Sequence, residues 1–301
     1  MHVLVFGAGS LGSLVGGCLA RAHEVTLVGR DPHVAAIQRD GLSISGALGT
    51  TVQPAAATTP PASADLALVT VKAYDTPAAA QSLADVDCSM ALSLQNGLGN
   101  EAILADHLDC PVLSGTCTYG ARLVEPGHVE CTGVGEVVLG PREGGESTIA
   151  TEIGRAFTAA DLATRVAANM PRRRWEKLAV NAAINPITAL ARVPNGALSA
   201  EPAATIAART AREVARVARA NGVPLSDAAA VEATERVIET TAENRSSMLQ
   251  DIEAGRRTEI DAINGAVVDR SSDAATVDDR TAVPLNETLA ALIRTWERER
   301  D

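Results

Sequence analysis

Lysine is almost missing from this chain: only Lys72 and Lys177 occur, against 24 arginines. A high-GC genome or a salt-adapted acidic proteome would each produce that loss. Wherever arginine serves, arginine is used. The two lysines that remain are therefore candidates for sites that need a compact ammonium or a transferable proton. Aromatic residues are also scarce, at 2%. The core must be built from Ala, Val, Leu and Ile, which the 46% hydrophobic content allows. No apolar run reaches the ~20 residues of a membrane span. The N-terminus lacks a charged start, apolar stretch and cleavage site, so no signal peptide is expected. CxxC and Cys/His spacings are missing as well. The five cysteines (Cys18, Cys88, Cys110, Cys117 and Cys131) are scattered over the first half. They read as reduced cytosolic thiols with no metal site, which points to the cytoplasm. The net charge of -11 disfavours nucleic acid and anionic membranes as partners. A nucleotide or an acidic small molecule would have to be drawn in by local positive charge.

What is present divides the chain in two. Its 301 residues fit two domains. Strand-like runs at His2–Phe6, Glu24–Val28, Leu66–Val71, Ala91–Leu94 and Pro111–Ser114 alternate with helical patterns such as Ser10–Arg21 and Thr76–Ala84. That alternation predicts a Rossmann-type α/β domain with a doubly wound, mostly parallel sheet. His128–Cys131 and Glu136–Leu139, separated by Thr-Gly-Val-Gly, read as an antiparallel hairpin on its edge. The Ala/Thr/Pro stretch Pro54–Ser63 reads as a loop, as does Arg142–Ser147. Helix Thr148–Ala159 and strand Thr164–Ala167 complete residues 1–170. From there on, 171–301 predicts an all-α domain with helices at Arg173–Ala191, Pro202–Ala220, Ser226–Ala254, Glu259–Arg270 and Asn286–Glu299.

Strand His2–Phe6 runs into Gly7-Ala8-Gly9-Ser10-Leu11-Gly12, followed at once by a helix. In that context GxGxxG is a dinucleotide fingerprint. Gly7 makes the tight turn, Gly9 admits the pyrophosphate, and Gly12 lets the helix pack close. The helix N-terminus faces the phosphates. The second strand ends on Arg30, where an enzyme binding the ribose 2′-hydroxyl of NAD places an acid. An arginine there suits the 2′-phosphate of NADP; Asp31, one residue later, is the residue that would serve NAD. Lys72 follows the strand Leu66–Val71, at the end where such sheets bind ligands. Asn96, in Gln95-Asn96-Gly97-Leu98-Gly99, could hold the nicotinamide ribose or a substrate. Taken alone, the segment reads first as a plain Asn-Gly turn.

In the second half, Lys177, Asn181 and Asn185 are spaced i, i+4, i+8 and share one helix face. Pro186 should kink or end that helix, and Asn195 follows in a Pro-Asn-Gly turn. The stripe looks like the lining for a small polar ligand. Asn244, Ser247 and Asp251 fall on one face of a later helix. Thr258-Glu259-Ile260-Asp261 reads as a capped helix start, in which Glu259 could simply complement the dipole. Histidine does not occur after His128. If hydride transfer happens here, its proton must come from elsewhere, and Lys177 is the obvious donor.

These segments resemble the ketopantoate reductase family from end to end. The most specific are Trp175–Asn181 with Ile184–Ala189, and Thr241–Asp251 with Thr258–Asp261. The resemblance implies an NADP(H)-dependent oxidoreductase that reduces 2-dehydropantoate to pantoate for pantothenate and coenzyme A biosynthesis. It implies that Lys177 is the proton donor. Asn96, Asn181, Asn185, Asn195, Asn244 and Ser247 would contact substrate, and Glu259 would lie over substrate or nicotinamide as a catalytic or cofactor-binding group. Arg30, Lys72 and Ala121 would contact NADP, and a homodimer is compatible. Two other readings stay open. One is a reductase of another branched 2-keto or β-hydroxy acid; the other is a non-catalytic NADP-binding redox sensor, in which Lys177 would be dispensable.

Overall fold

The computed structural model describes residues 1–273 and 282–300. They form two compact units: Met1–Gln95 with Gly99–Met170, and Asn96–Leu98 with Pro171–Asp301.

The first unit begins β1 (His2–Phe6), α1 (Ser10–Leu19), β2 (Glu24–Val28), α2 (His33–Asp40), β3 (Leu42–Gly46), β4 (Thr50–Val52), β5 (Ala55–Ala57) and β6 (Ser63–Val69). It continues with α3 (Thr76–Leu83), β7 (Asp87–Ser93), α4 (Asn100–Ala105), β8 (Val112–Cys117), β9 (Gly120–Glu125), β10 (His128–Gly133), β11 (Val137–Pro141), α5 (Thr148–Ala159) and β12 (Thr164–Val166). Eight strands make the main sheet, in the order β12-β11-β8-β7-β6-β1-β2-β5. From β5 to β8 every neighbour is parallel, and β11 reverses against β8. Its central strands are near-continuous Val/Leu/Ala runs because both faces are covered. Val3, Val5, Leu66 and Leu68 pack on one side with Leu14 of α1 and Phe157 of α5. Leu4, Ala67 and Val69 pack on the other with Leu83 and Leu104. Each Leu or Val so buried contributes roughly 1.5–3 kcal/mol.

Two expectations for this unit fail. The 128–139 hairpin does not form. β10 pairs with β9 and β3 in a separate four-stranded sheet, β4-β3-β10-β9, while β11 joins the main sheet between β8 and β12. Gly133, the last residue of β10, and Gly135 beyond it carry the chain from one sheet to the other rather than turning it back. The supposed loop Pro54–Ser63 contains edge strand β5, held parallel to β2. Helix α1 lies against both sheets. A Cβ on Gly16 would meet Leu27 of the main sheet at 2.5 Å, and one on Gly17 would meet Ile44 of the smaller sheet at 2.7 Å.

The second unit is helical: α6 (Met170–Ala191), α7 (Ala203–Ala220), α8 (Asp227–Thr240), α9 (Ser247–Glu253), α10 (Ala266–Asp273) and α11 (Pro284–Arg298). A 3₁₀ turn spans Asn195–Ser199 and a π-helical turn Asp261–Gly265. Alanines dominate the core, among them Ala182, Ala183, Ala211, Ala215 and Ala218, so helices approach closely, with Trp175 as a buried aromatic beside them.

The helix expected over Ser226–Ala254 is two helices. Ser226 caps the first, accepting from the Ala229 amide at 3.1 Å, and Ser246 caps the second, accepting from Leu249 at 3.1 Å. Asn244 lies in the break, so it does not share a helix face with Ser247 and Asp251. The capping box at Thr258 does not close either. The Thr258 amide donates to Glu297 at 2.7 Å, and the Asp261 carboxylate accepts from Arg294 at 2.8 Å. Pro186 does not end α6, which runs on to Ala191. Proline removes the amide that would have reached the Ala182 carbonyl. The buried Asn264 side chain supplies that bond instead, at 3.1 Å. Asn264 is held in turn by Asn286 at 3.0 Å, and Asn286 by buried Glu213 at 2.8 Å.

Candidate active site

In the first unit, Gly7 lies at φ +115°, where an L side chain is strained, and a Cβ there would meet the Val71 amide nitrogen at 2.6 Å. Gly12 is pressed onto the turn: its Cβ would sit 2.1 Å from the Gly7 carbonyl oxygen. Gly9 is different. It is exposed, and nothing lies within 4 Å of where its Cβ would be. Gly9 also caps α1 without a side chain, and the first turn of that helix, Ser10-Leu11-Gly12, carries no acid. Its amides have no intrahelical partner. Ala8 is buried beneath the turn. An open glycine beside a bare helix N-terminus fits a pyrophosphate, by hydrogen bonding and by the helix dipole.

Arg30 lies two residues beyond the end of β2, after Gly29, with its side chain exposed, and its Nη2 reaches Asp75 at 3.3 Å. Lys72 is half-buried, just before a 3₁₀ turn over Ala73–Asp75. Ser10 Oγ accepts the Leu123 amide at 3.0 Å, which brings β9, with Ala121 two residues earlier, beside the start of α1. Sequence reasoning passed over Gln95. Its buried side chain donates to the Val71 carbonyl at 3.1 Å and to Thr76 Oγ1 at 2.7 Å, bracing the segment that carries Lys72. The clue was a glutamine directly following a buried strand.

In the second unit, Lys177, Asn181 and Asn185 do lie on one unbroken helix, α6. Lys177 and Asn181 are half-buried, and Asn185 is buried. Asn195 is buried too. Its Nδ2 donates to Thr241 at 2.8 Å, while its Oδ1 has no hydrogen-bond partner among the described residues. Leaving a buried acceptor bare costs about 1–3 kcal/mol, which a bound donor would recover. The Asn195 amide donates to the Asn244 carbonyl at 2.9 Å, so these two expected residues meet through the backbone. Asn244 and Ser247 both have exposed side chains. Ser246 beside Ser247 is buried, and accepts from Thr188 of α6 at 2.7 Å. Asp251 is buried against Arg256 at 3.0 Å and serves the end of α9.

Glu259 is buried, and Asn96 Nδ2 donates to its Oε2 at 3.2 Å. The Asn-Gly turn is real, but it does more than reverse the chain. Gly97 takes φ +86°, and a Cβ there would meet the Ala262 carbonyl oxygen at 2.4 Å. Asn96–Leu98 therefore packs on the π-helical turn, and Glu259 is a buried carboxylate with a hydrogen-bonded neighbour rather than a solvated helix-start acid. Missed by sequence reasoning were Asn264, Asn286 and Glu213. The readable signal was polar residues at apolar positions of α7 and α11.

The family described as Ketopantoate reductase PanE/ApbA matches residues 3–144, and its C-terminal domain matches residues 169–297. The 2-dehydropantoate 2-reductase of Halobacterium salinarum is 44% identical over 99% of this chain and 100% of its own. A PanE/ApbA family ketopantoate reductase from Ralstonia eutropha superposes with a TM-score of 0.89 at 33% identity, covering 100% and 99% of the two chains. D-mandelate dehydrogenase in a ternary structure with NADH and anilino(oxo)acetate gives a TM-score of 0.92 at 25% identity over 100% and 99%.

Proposed function

The chain belongs to the ketopantoate reductase family, and from that premise we propose that it reduces 2-dehydropantoate to pantoate with NADPH. It is an oxidoreductase of pantothenate and coenzyme A synthesis. The reading rests on one observation above the rest: the second unit's single lysine heads a polar stripe on α6 that ends at buried Asn185. Asn195, with its unmatched buried oxygen, adds to it.

The first unit holds the nucleotide. Gly7–Gly12 takes the pyrophosphate on the α1 amides, Arg30 takes the 2′-phosphate, and Lys72 and Ala121 line the remainder. NADPH, when bound, supplies the hydride for the C2 ketone. The second unit does the rest. Lys177 donates a hydrogen bond to the ketone oxygen, stabilises the negative charge that builds there, and delivers the proton that turns alkoxide into alcohol. Asn96, Asn181, Asn185, Asn244 and Ser247 hold the carboxylate and the C4 hydroxyl. Asn195 Oδ1 accepts from a substrate hydroxyl. Glu259, fixed by Asn96, orients the polar groups about the reacting carbon. Fixing the ketone in line for attack supplies the orientation advantage.

The likeness to D-mandelate dehydrogenase carries a second reading, an NADH-linked enzyme acting on a different branched 2-hydroxy acid. A panel of 2-keto acids assayed with NADPH and NADH separates the two. Our reading expects pantoate, identified by mass, and the highest kcat/KM for 2-dehydropantoate with NADPH. Preference for an aromatic 2-keto acid with NADH would overturn it. A cytoplasmic location is part of the proposal, supported by the acidic composition and the lack of CxxC and Cys/His metal spacings; no helix among the described residues is long and apolar enough to cross a membrane. A homodimer completes the proposal. Light scattering at twice 31.0 kDa supports it, and a 31.0 kDa particle removes it.

A further inference from the structure

Three of the five cysteines, Cys18, Cys117 and Cys131, are buried in the first unit's core. Burial pushes Cys18 up to about 11 and raises Cys131, which keeps both protonated and unreactive. The other two are arranged differently. Cys88 stands near the start of β7, and Cys110 lies in the segment leading into β8. Parallel pairing fixes their approach: Ala91 is in register with Val112, and the Ala91 amide donates to the Pro111 carbonyl at 2.9 Å. Carried three residues back, that register brings Cys88 level with Asp109 and its neighbour Cys110. The two sulfurs are 3.1 Å apart, both residues are half-buried, and they line a surface cavity of 460 Å³ with Leu83, Val86 and Leu108.

We propose that Cys88 and Cys110 form a reversible thiol–disulfide modification site that takes small neutral or cationic oxidants. Hydrogen peroxide is the neutral case. Cys88 thiolate attacks one peroxide oxygen, the O–O bond breaks, and the departing hydroxide takes up the proton that Cys88 had released to solvent, so a sulfenic acid and water result. Cys110 sulfur then attacks Cys88 sulfur and expels the second water. Two thiols are oxidised by two electrons, and one peroxide is reduced to two waters. The Cys110 thiol hydrogen bond draws Cys88 down to about 7, so Cys88 is the attacking group and Cys110 the resolving one. Asp85, Asp87 and Asp109 line the same cavity, and the chain carries -11 overall. Such a rim repels anionic disulfides, and cationic ones are favoured.

The site is remote from the nucleotide turn. Cys88 lies at the N-terminal end of a parallel strand, whereas Gly7–Gly12 follows the C-terminal end of β1; a strand of that length spans about 20 Å. Bridging residues 22 apart restricts the unfolded chain. The disulfide should therefore raise the Tm by several degrees and leave turnover unchanged.

The test uses the full-length enzyme treated with a small excess of peroxide. Intact mass should fall by two hydrogens, and titratable thiols in denaturant should fall from five to three. Cleavage at aspartate without reductant should yield Cys88 and Cys110 peptides joined by a bond that dithiothreitol releases. The rate should rise with pH through about 7. Cys110→Ser should stop at a sulfenic acid that dimedone traps on Cys88, and Cys88→Ser should not react. Cystamine, a dication, should oxidise the pair at least several-fold faster than oxidised glutathione. Five thiols surviving in the native protein, or loss confined to Cys18, Cys117 or Cys131, would overturn the assignment. Equal rates for cystamine and oxidised glutathione would remove its charge selectivity.

Discussion

In the first unit, Ser93, Gln95, Thr76 and Asn100 satisfy one another, and Ser114 donates to Glu101 at 2.8 Å. In the second, Asn195 Oδ1 and Asn264 Oδ1 are buried with no hydrogen-bond partner among the described residues. The difference follows from how each unit would hold its ligand. In the function proposed here, a pyrophosphate would be bound by backbone amides at the start of α1, which leaves the side chains around it free to close among themselves. A small hydroxy acid has to be recognised by side chains, and these must keep hydrogen-bonding capacity in reserve. The second unit is thus braced and incomplete at once: Glu213, Asn286 and Asn264 hold α6 across Pro186, while Asn195 keeps an open acceptor.

Four perturbations sharpen or break that comparison. The largest effect is expected at Lys177. Arginine keeps the charge but stays protonated above ~12, so it cannot hand over a proton near neutrality. Lys177→Arg should lower kcat by ~100-fold or more across roughly pH 6 to 9, while Lys72→Arg should be far milder. Steady-state rates that stay near wild type in Lys177→Arg would move the proton source elsewhere. Next comes Arg30→Ala, which removes a charged hydrogen bond of about 1.5–3 kcal/mol from the 2′-phosphate. It should raise KM for NADPH by roughly 10- to 100-fold and leave KM for NADH nearly unchanged. A parallel rise for both cofactors would mean that Arg30 does not read the phosphate.

Third, Asn264→Leu leaves the Ala182 carbonyl and Asn286 Oδ1 bare, at about 1–3 kcal/mol for each buried group. Thermal melting should register the loss. Adding Pro186→Ala restores an amide to the Ala182 carbonyl and should recover part of it. If the double variant melts no higher than Asn264→Leu alone, the bridging role of Asn264 is wrong. The smallest effect belongs to the first unit. His33 accepts the Gly127 amide and contacts Ser13 at 2.9 Å, and burial lowers its pKa below 6.5. The unfolded chain therefore binds a proton that the folded one refuses. Stability from this residue is complete above pH 6.5 and declines as pH falls toward the folded value. Chemical denaturation from about pH 7 down to 5 should show a slope that His33→Gln flattens.

The two units also differ in how far their sequence reveals them. Local chemistry marks the first unit's glycine turn: strand, glycines and helix are adjacent, and Arg30 stands two residues past its strand. Partner choice is not local. Gly133 and Gly135 signal a reversal, yet β10 joins β3 and β9 in a second sheet, and α1 packs against both sheets. In the second unit the i, i+4, i+8 stripe is legible because α6 is one helix. The break near Asn244 is not, since Thr240–Arg245 contains neither Gly nor Pro. It is fixed by the Asn195 and Gly196 amides, which take the carbonyls of Asn244 and Ala242. That is tertiary pairing overriding helix propensity. Asn264 opposite Pro186 is hidden for the same reason: 82 residues separate it from the carbonyl it serves.

The division of labour between the units is tested most directly by titrating NADPH into Lys177→Arg and following nicotinamide fluorescence. Turnover of this variant should have collapsed, yet its Kd for NADPH should stay within about twofold of wild type, because the proposal assigns the nucleotide to Gly7–Gly12 and Arg30. A loss of NADPH affinity as large as the loss of kcat would contradict the account, since Lys177 would then be a cofactor-binding residue rather than the proton donor.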